Sequence, residues 1–156
     1  MRLAAPTGRG QPAPPCRTRG AACTATIAAL VVLAASASAE VRITRDTGGN
    51  TDDYKRRVDA LRRSGERVVI DGRCDSACTL HLTLPRQQFC VTGRAAFTFH
   101  ALADTQTGLP RLRETQDLFS SYPQAIQSWI TQNGGLTHVP VTLNGNAMLR
   151  MLPRCP

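Results

Sequence analysis

The sequence predicts a single α/β domain built mainly from parallel βαβ units, and three observations carry that prediction. Val41-Arg42-Ile43-Thr44 alternates apolar and polar residues, the period of a short strand with one buried face. Residues 51–63 have a helical pattern, with Tyr54, Val58 and Leu61 forming an apolar stripe. Arg67-Val-Val-Ile-Asp71 is a short apolar run of the kind found in parallel strands buried on both faces. Strand, crossover helix and strand in that order make a right-handed βαβ unit.

What precedes the first strand reads as a secretory signal peptide. Arg2, Arg9, Arg17 and Arg19 stand before an uncharged run over residues 21–39, and the first acidic residue is Glu40. The apolar part, residues 21–35, is too short and too rich in alanine to span a bilayer comfortably. Ala37-Ser38-Ala39 supplies the small-residue cleavage pattern, so the expected division is a signal peptide over residues 1–39 and a mature domain over residues 40–156. Cys23 stands at the front of that apolar part rather than at its end, which favours a soluble periplasmic or secreted product over a lipoprotein and leaves no stable membrane anchor after cleavage. The leader takes four of the nineteen basic residues and none of the eleven acidic ones, so the mature net charge falls from +8 to +4. A nucleic-acid partner loses most of its electrostatic support, and none is expected. The remaining 117 residues suffice for one domain.

The elements follow in order. The first strand ends at Arg45-Asp-Thr-Gly-Gly-Asn50, where Gly48 and Gly49 allow unusual dihedrals and close approach to the backbone. Asn50 or Thr51 caps the helix, Asp52 and Asp53 complement its dipole, and Gly65 closes it. In its basic cluster of Lys55, Arg56, Arg57, Arg62 and Arg63, three members, Arg56, Arg57 and Arg63, stand four residues after Asp52, Asp53 and Asp59, which marks a solvated face rather than a binding patch. After a turn at Gly72, residues 76–84 read as a second helix stopped by Pro85, with threonines that also permit a strand. Residues 88–92 and 95–100 read as strands, and residues 101–113 as a polar loop. A helix from about Arg113 breaks at Pro123, and Ser121 with Gln124 has capping-box spacing for another that runs to Gly134-Gly135. The tail holds a strand around residues 141–143 and a short helix around residues 147–152.

Cys16 and Cys23 leave with the leader, and Cys74, Cys78, Cys90 and Cys155 remain. An exported chain meets an oxidising compartment, so at least one disulfide is expected, with Cys74–Cys90 and Cys90–Cys155 as plausible pairs. A metal set of Cys74, Cys78 and His81 with His100 or His138 is the competing use, but oxidising conditions and a spacing unlike standard zinc patterns argue against it. No metal or cofactor is expected.

Asp46-Thr-Gly-Gly-Asn50, Val68-Val-Ile-Asp-Gly-Arg-Cys-Asp-Ser-Ala-Cys78 and Phe89-Cys-Val-Thr-Gly-Arg-Ala-Ala-Phe-Thr-Phe-His100 share an order with a known family. A strand ends in a Gly-Gly turn that opens a helix, a buried strand leads to a serine at the next helix, and a strand ends in histidine. In these features, over residues 41–100, the chain resembles the Clp protease proteolytic subunit and its crotonase-type relatives, particularly small exported bacterial proteins of that kind. The resemblance implies a reduced Clp-protease/crotonase-like fold and acyl transfer on a peptide or other acyl substrate. Ser76 matches the nucleophile and His100, twenty-four residues later, the general base. The Ala77 N–H with one from Gly48 or Gly49 matches the oxyanion hole. The same residues have a plainer reading, with Ser76 as an N-cap and His100 as a packed histidine, which gives the alternative of a catalytically inactive binding or structural module on the same fold.

One departure stands out. The segment that supplies the protease's orienting acid reads here Gly134-Gly-Leu-Thr-His-Val-Pro-Val-Thr-Leu-Asn144, without Asp or Glu. The carboxylates after His100 are Asp104, Glu114 and Asp117, none at the matching place. A dyad, a substitute such as Asn144, or an inactive site are the outcomes this permits.

Overall fold

A computed structural model of the protein describes residues 39–156, so all but the last residue of the expected signal peptide lies outside the described residues. Strand β1 (Glu40–Asp46) leads into helix α1 (Thr51–Ser64) and back into β2 (Arg67–Asp75), and the two strands pair in parallel, completing the expected βαβ unit. Asn50 is the cap of α1, its side chain accepting the amides of Asp52 and Asp53, and Gly65 ends the helix at φ 73°. Tyr54 and Val58 are buried as the apolar stripe requires. The charged face pairs at i,i+3 (Asp52 with Lys55, Asp53 with Arg56, Asp59 with Arg62), not at the expected i,i+4. Arg57 instead lies over the Tyr54 ring, 5.2 Å from its centroid.

β2 is longer than the sequence pattern suggested. No turn forms at Gly72, and the strand continues to Asp75. A bulge in β1 between Ile43 and Arg45 brings the Thr44 carbonyl so close that a Cβ on residue 72 would stand 1.8 Å from its oxygen. Glycine here serves close packing of two backbones rather than reversal of the chain.

A 3-10 helix (Ser76–Thr83) follows, then β3 (Phe89–Val91) and β4 (Ala96–Phe99). Both of these strands pair in parallel with β2, β3 along Val68–Ile70 and β4 along Arg73–Asp75. With β1 occupying the other edge, β3 and β4 share one edge of β2, end to end. Helices α2 (Leu112–Ser121) and α3 (Gln124–Gln132) precede β5 (Val141–Asn144), which pairs antiparallel with β4, and α4 (Gly145–Met151) closes the chain. The expected capping box does not form: Pro123 holds the cap position of α3, and the Ser121 hydroxyl donates to the Leu118 carbonyl at 2.6 Å. The result is a single mixed α/β domain on a mostly parallel, open five-stranded sheet.

The core lies between that sheet and the helices, around Ile70, Phe97, Phe99, Ile126, Ile130, Leu143 and Met148. Among the described residues, no helix is long and apolar enough to cross a membrane. Two disulfides form, Cys90–Cys155 and Cys74–Cys78. Cys74–Cys90 is not one of them, because the register pairs Cys90 with Val69, and Cys74 lies five residues further along β2, roughly 16 Å away at strand rise. Cys155 is carried to β3 by the tail, which hydrogen-bonds to both polar groups of Val91: Val91 N–H to the Pro153 carbonyl at 2.8 Å, and Cys155 N–H to the Val91 carbonyl at 3.0 Å.

Candidate active site at the carboxyl edge of the sheet

β2 delivers the chain to Ser76 at the carboxyl end of the parallel strands, the edge where open α/β sheets bind ligands. Ser76 has φ 55°, and among the described residues it is the one non-glycine with positive φ. The left-handed conformation costs an L-residue about 1–2 kcal/mol, and such strain concentrates at functional sites. Ser76 is not the cap of the helix it opens, since Asp75 occupies that position and makes no side-chain capping bond. The Ser76 carbonyl accepts from Thr79 Oγ1 at 2.6 Å, and that hydroxyl accepts in turn from Tyr122 Oη at 2.6 Å. Burial raises the pKa of Tyr122, which keeps its phenol protonated as a donor.

The Gly-Gly turn packs directly on this junction. Gly48 has φ 80°, and a Cβ there would stand 2.6 Å from the Asp75 carbonyl oxygen, 2.7 Å from Ser76 Cβ and 2.9 Å from the Ala77 nitrogen. Only glycine satisfies both the dihedral and the space. The Gly48 N–H donates to Asp46 Oδ1 at 2.8 Å, and the Tyr54 hydroxyl donates to the same oxygen. Burial first, then the hydrogen bond to Asp46, lifts the Tyr54 pKa to about 12.

His100 follows the last residue of β4. The β2–β4 register pairs Asp75 with Thr98, so Ser76 and His100 both emerge just beyond the ends of adjacent strands. They line one cavity of about 420 Å³ together with Gly49, and with Asp104, Arg111 and His138 from the far side. Among the described residues no hydrogen bond joins Ser76 Oγ to the His100 ring, and Gly48 and Ala77, though packed at Ser76, do not line the cavity. The His100 ring is nevertheless oriented: its Nδ1 lies 2.8 Å from the Ala101 carbonyl oxygen. A carbonyl only accepts, so Nδ1 carries a proton, and in the neutral ring the lone pair is on Nε2. The Ala101 N–H donates to the Thr137 carbonyl at 2.7 Å, which ties Ala101 to the segment carrying His138.

Asn144 does not orient the histidine. Antiparallel pairing sets it opposite Ala96, at the other end of β4 from His100, and brings Val141 opposite Phe99 instead. Asp104 is also engaged, its Oδ1 accepting first the amide and hydroxyl of Thr107 and then the amide of Gln106, which together lower its pKa. The polar loop expected over residues 101–113 is a short hairpin that ends at Arg111, where α2 takes over, with the Arg111 N–H on the Leu102 carbonyl and the Asp104 N–H on the Leu109 carbonyl, both at 2.9 Å. Its return of Arg111 to the cavity had no sequence signal beyond polarity, and neither did the Ala101 carbonyl.

The candidate metal set divides. Ligand atoms of Cys74, Cys78 and His81 lie within 4.8 Å of one another, but the two sulfurs are bonded together, and His100 and His138 belong to the cavity at Ser76. His81 packs edge-on to Tyr54 with its Nδ1 2.8 Å from the Cys78 carbonyl oxygen, and burial lowers its pKa.

No known protein family, curated protein or solved structure matches the chain.

Proposed function

We propose that the protein is an exported serine hydrolase with a reduced Clp-protease/crotonase-like fold, acting on a peptide or other acyl substrate. The observation that carries this reading is the strained Ser76 at the carboxyl edge of the sheet, in one cavity with a histidine whose Nε2 is free. Ser76 Oγ attacks the substrate carbonyl while His100 Nε2 takes its proton. The imidazolium returns that proton to the leaving group, and water, deprotonated by the same nitrogen, releases the acyl enzyme. The Ala101 carbonyl holds the tautomer in the place of an acidic third residue. Because the Gly48 N–H is bound to Asp46 and Ala77 does not line the cavity, the oxyanion falls to the amide of Gly49. Two disulfides in a chain this short support an oxidising compartment, periplasmic or extracellular.

A fluorophosphonate probe tests the reading. Wild type is expected to be labelled, Ser76→Ala to be unlabelled while folded, and His100→Ala to be labelled slower by about 10²–10⁴-fold. The engaged Gly48 amide and the missing Ser76–His100 hydrogen bond favour the alternative of an inactive binding module on the same scaffold. A folded wild type that resists the probe decides for that alternative.

A further inference from the structure

We propose that the Cys74–Cys78 disulfide is a positioning device that holds Ser76 in its left-handed conformation at the cavity. The inference rests on the reading of Ser76 as the nucleophile. The two cysteines stand two residues before and two after Ser76, with their Cα atoms 5.2 Å apart. One end of the bridge is set in the sheet, where Cys74 pairs with Asp46 on one side and Phe97 on the other. The other end sits in the 3-10 helix, where the Cys78 carbonyl meets His81 Nδ1. A residue at positive φ relaxes unless its surroundings over-determine it. The bridge closes the turn around Ser76 and keeps the strand end and the helix start from separating.

The same bridge reaches the other half of the site. His81 stacks edge-on against Tyr54, Tyr54 donates to Asp46, and Asp46 holds the Gly48 amide. The disulfide, the buried histidine and the Gly-Gly turn therefore form one packed unit behind Ser76. Both cysteines are fully buried, so a reductant in solution reaches them only after the domain opens. The bridge is a fixed part of the native site and not a switch.

The experiment compares fluorophosphonate labelling rates of the full disulfide-bonded protein, of Cys74→Ala/Cys78→Ala, and of Cys90→Ala/Cys155→Ala, each verified as folded by circular dichroism. Removing the Cys74–Cys78 bridge is expected to slow labelling on the order of 10²-fold, the cost of a misplaced reacting atom. The pH midpoint of labelling should stay where wild type has it, because the base is untouched, while the plateau falls. The Cys90→Ala/Cys155→Ala protein should label like wild type at a temperature where it is folded. A Cys74→Ala/Cys78→Ala protein that labels at the wild-type rate overturns the positioning role and leaves Ser76 as nucleophile. So does one that fails to fold while Cys90→Ala/Cys155→Ala folds, since the bridge would then serve the whole domain. A wild type that does not label removes the nucleophile itself, which is a separate failure.

Discussion

The two disulfides of this domain lie at opposite functional extremes. Cys90–Cys155 spans 65 residues and fastens the C-terminal tail to β3, on the half of β2 remote from the cavity. Cys74–Cys78 spans four and encloses the strained serine. In the chain-entropy account a cross-link stabilises by restricting the unfolded chain, so the long loop stabilises the fold more and the short loop less. The short one instead constrains a single turn. Global stability and site geometry are thus served by separate covalent bonds, and the variants below test that separation.

The largest effect is expected from Cys90→Ala/Cys155→Ala, which should lower unfolding free energy by about 4 kcal/mol, against about 2 for the short bridge. Chemical denaturation under non-reducing conditions measures both. Equal losses would show that the bridges do not divide their work by loop length. Next comes Gly72→Ala, where the new Cβ meets the Thr44 carbonyl at a distance backbone cannot tolerate. The β1–β2 pairing must shift, and a loss of roughly 3 kcal/mol is expected from overpacking of this kind. A melting temperature within a degree of wild type would show that the bulge in β1 absorbs the methyl group.

Acid separates the two regions by pH. His81, behind the site, has its pKa lowered first of all by burial, so the folded state binds fewer protons there than the unfolded chain. Its contribution is complete above the ordinary value of 6.5 and is lost as pH falls below it. Asp71, in the remote half, is held at about 2 by Thr92 first, then Arg94 and Arg42. Its contribution is complete above the ordinary 3.8 and is lost between there and about 2. Stability plotted against pH should therefore fall in two stages. Asp71→Asn should shrink the lower stage, to which Asp104 and Glu114 also contribute, and leave the upper one; a single transition near pH 3 would contradict the assignment to His81.

Much of this scaffold is legible because it is local. The alternation in β1, the stripe and caps of α1, and the apolar run of β2 each sit within about a dozen residues, and period and capping chemistry specify them. The extension of β2 through Gly72 was not legible, because its cause is the Thr44 carbonyl across a strand pair. The site divides along the same line. Ser76, His100 and the glycine pair announce themselves by residue type and order. The group that orients His100 is a backbone carbonyl, which every residue has, so composition carries no trace of it. The pairing of Cys74 with Cys78 likewise depended on register: only once Cys90 is set opposite Val69 does Cys74 lose that partner.

The smallest effect is the most specific to the comparison. Ser76→Gly removes the left-handed penalty of an L-residue, worth about 1–2 kcal/mol, but adds unfolded-state freedom worth roughly 0.5–1 kcal/mol. The net expectation is a gain of about 0.5–1 kcal/mol in the disulfide-bonded protein. Without the Cys74–Cys78 bridge the turn is free to relax, the penalty is already relieved, and the same substitution retains only its unfolded-state cost. The gain should then vanish or change sign. A double-mutant cycle between Ser76→Gly and Cys74→Ala/Cys78→Ala reads that coupling as the difference between the two gains, on the order of 1 kcal/mol. The cycle needs only denaturation curves and is independent of any reaction at Ser76. Additive effects would mean that the glycine-packed wall at Gly48 and the Thr79 hydroxyl hold the serine without help from the disulfide.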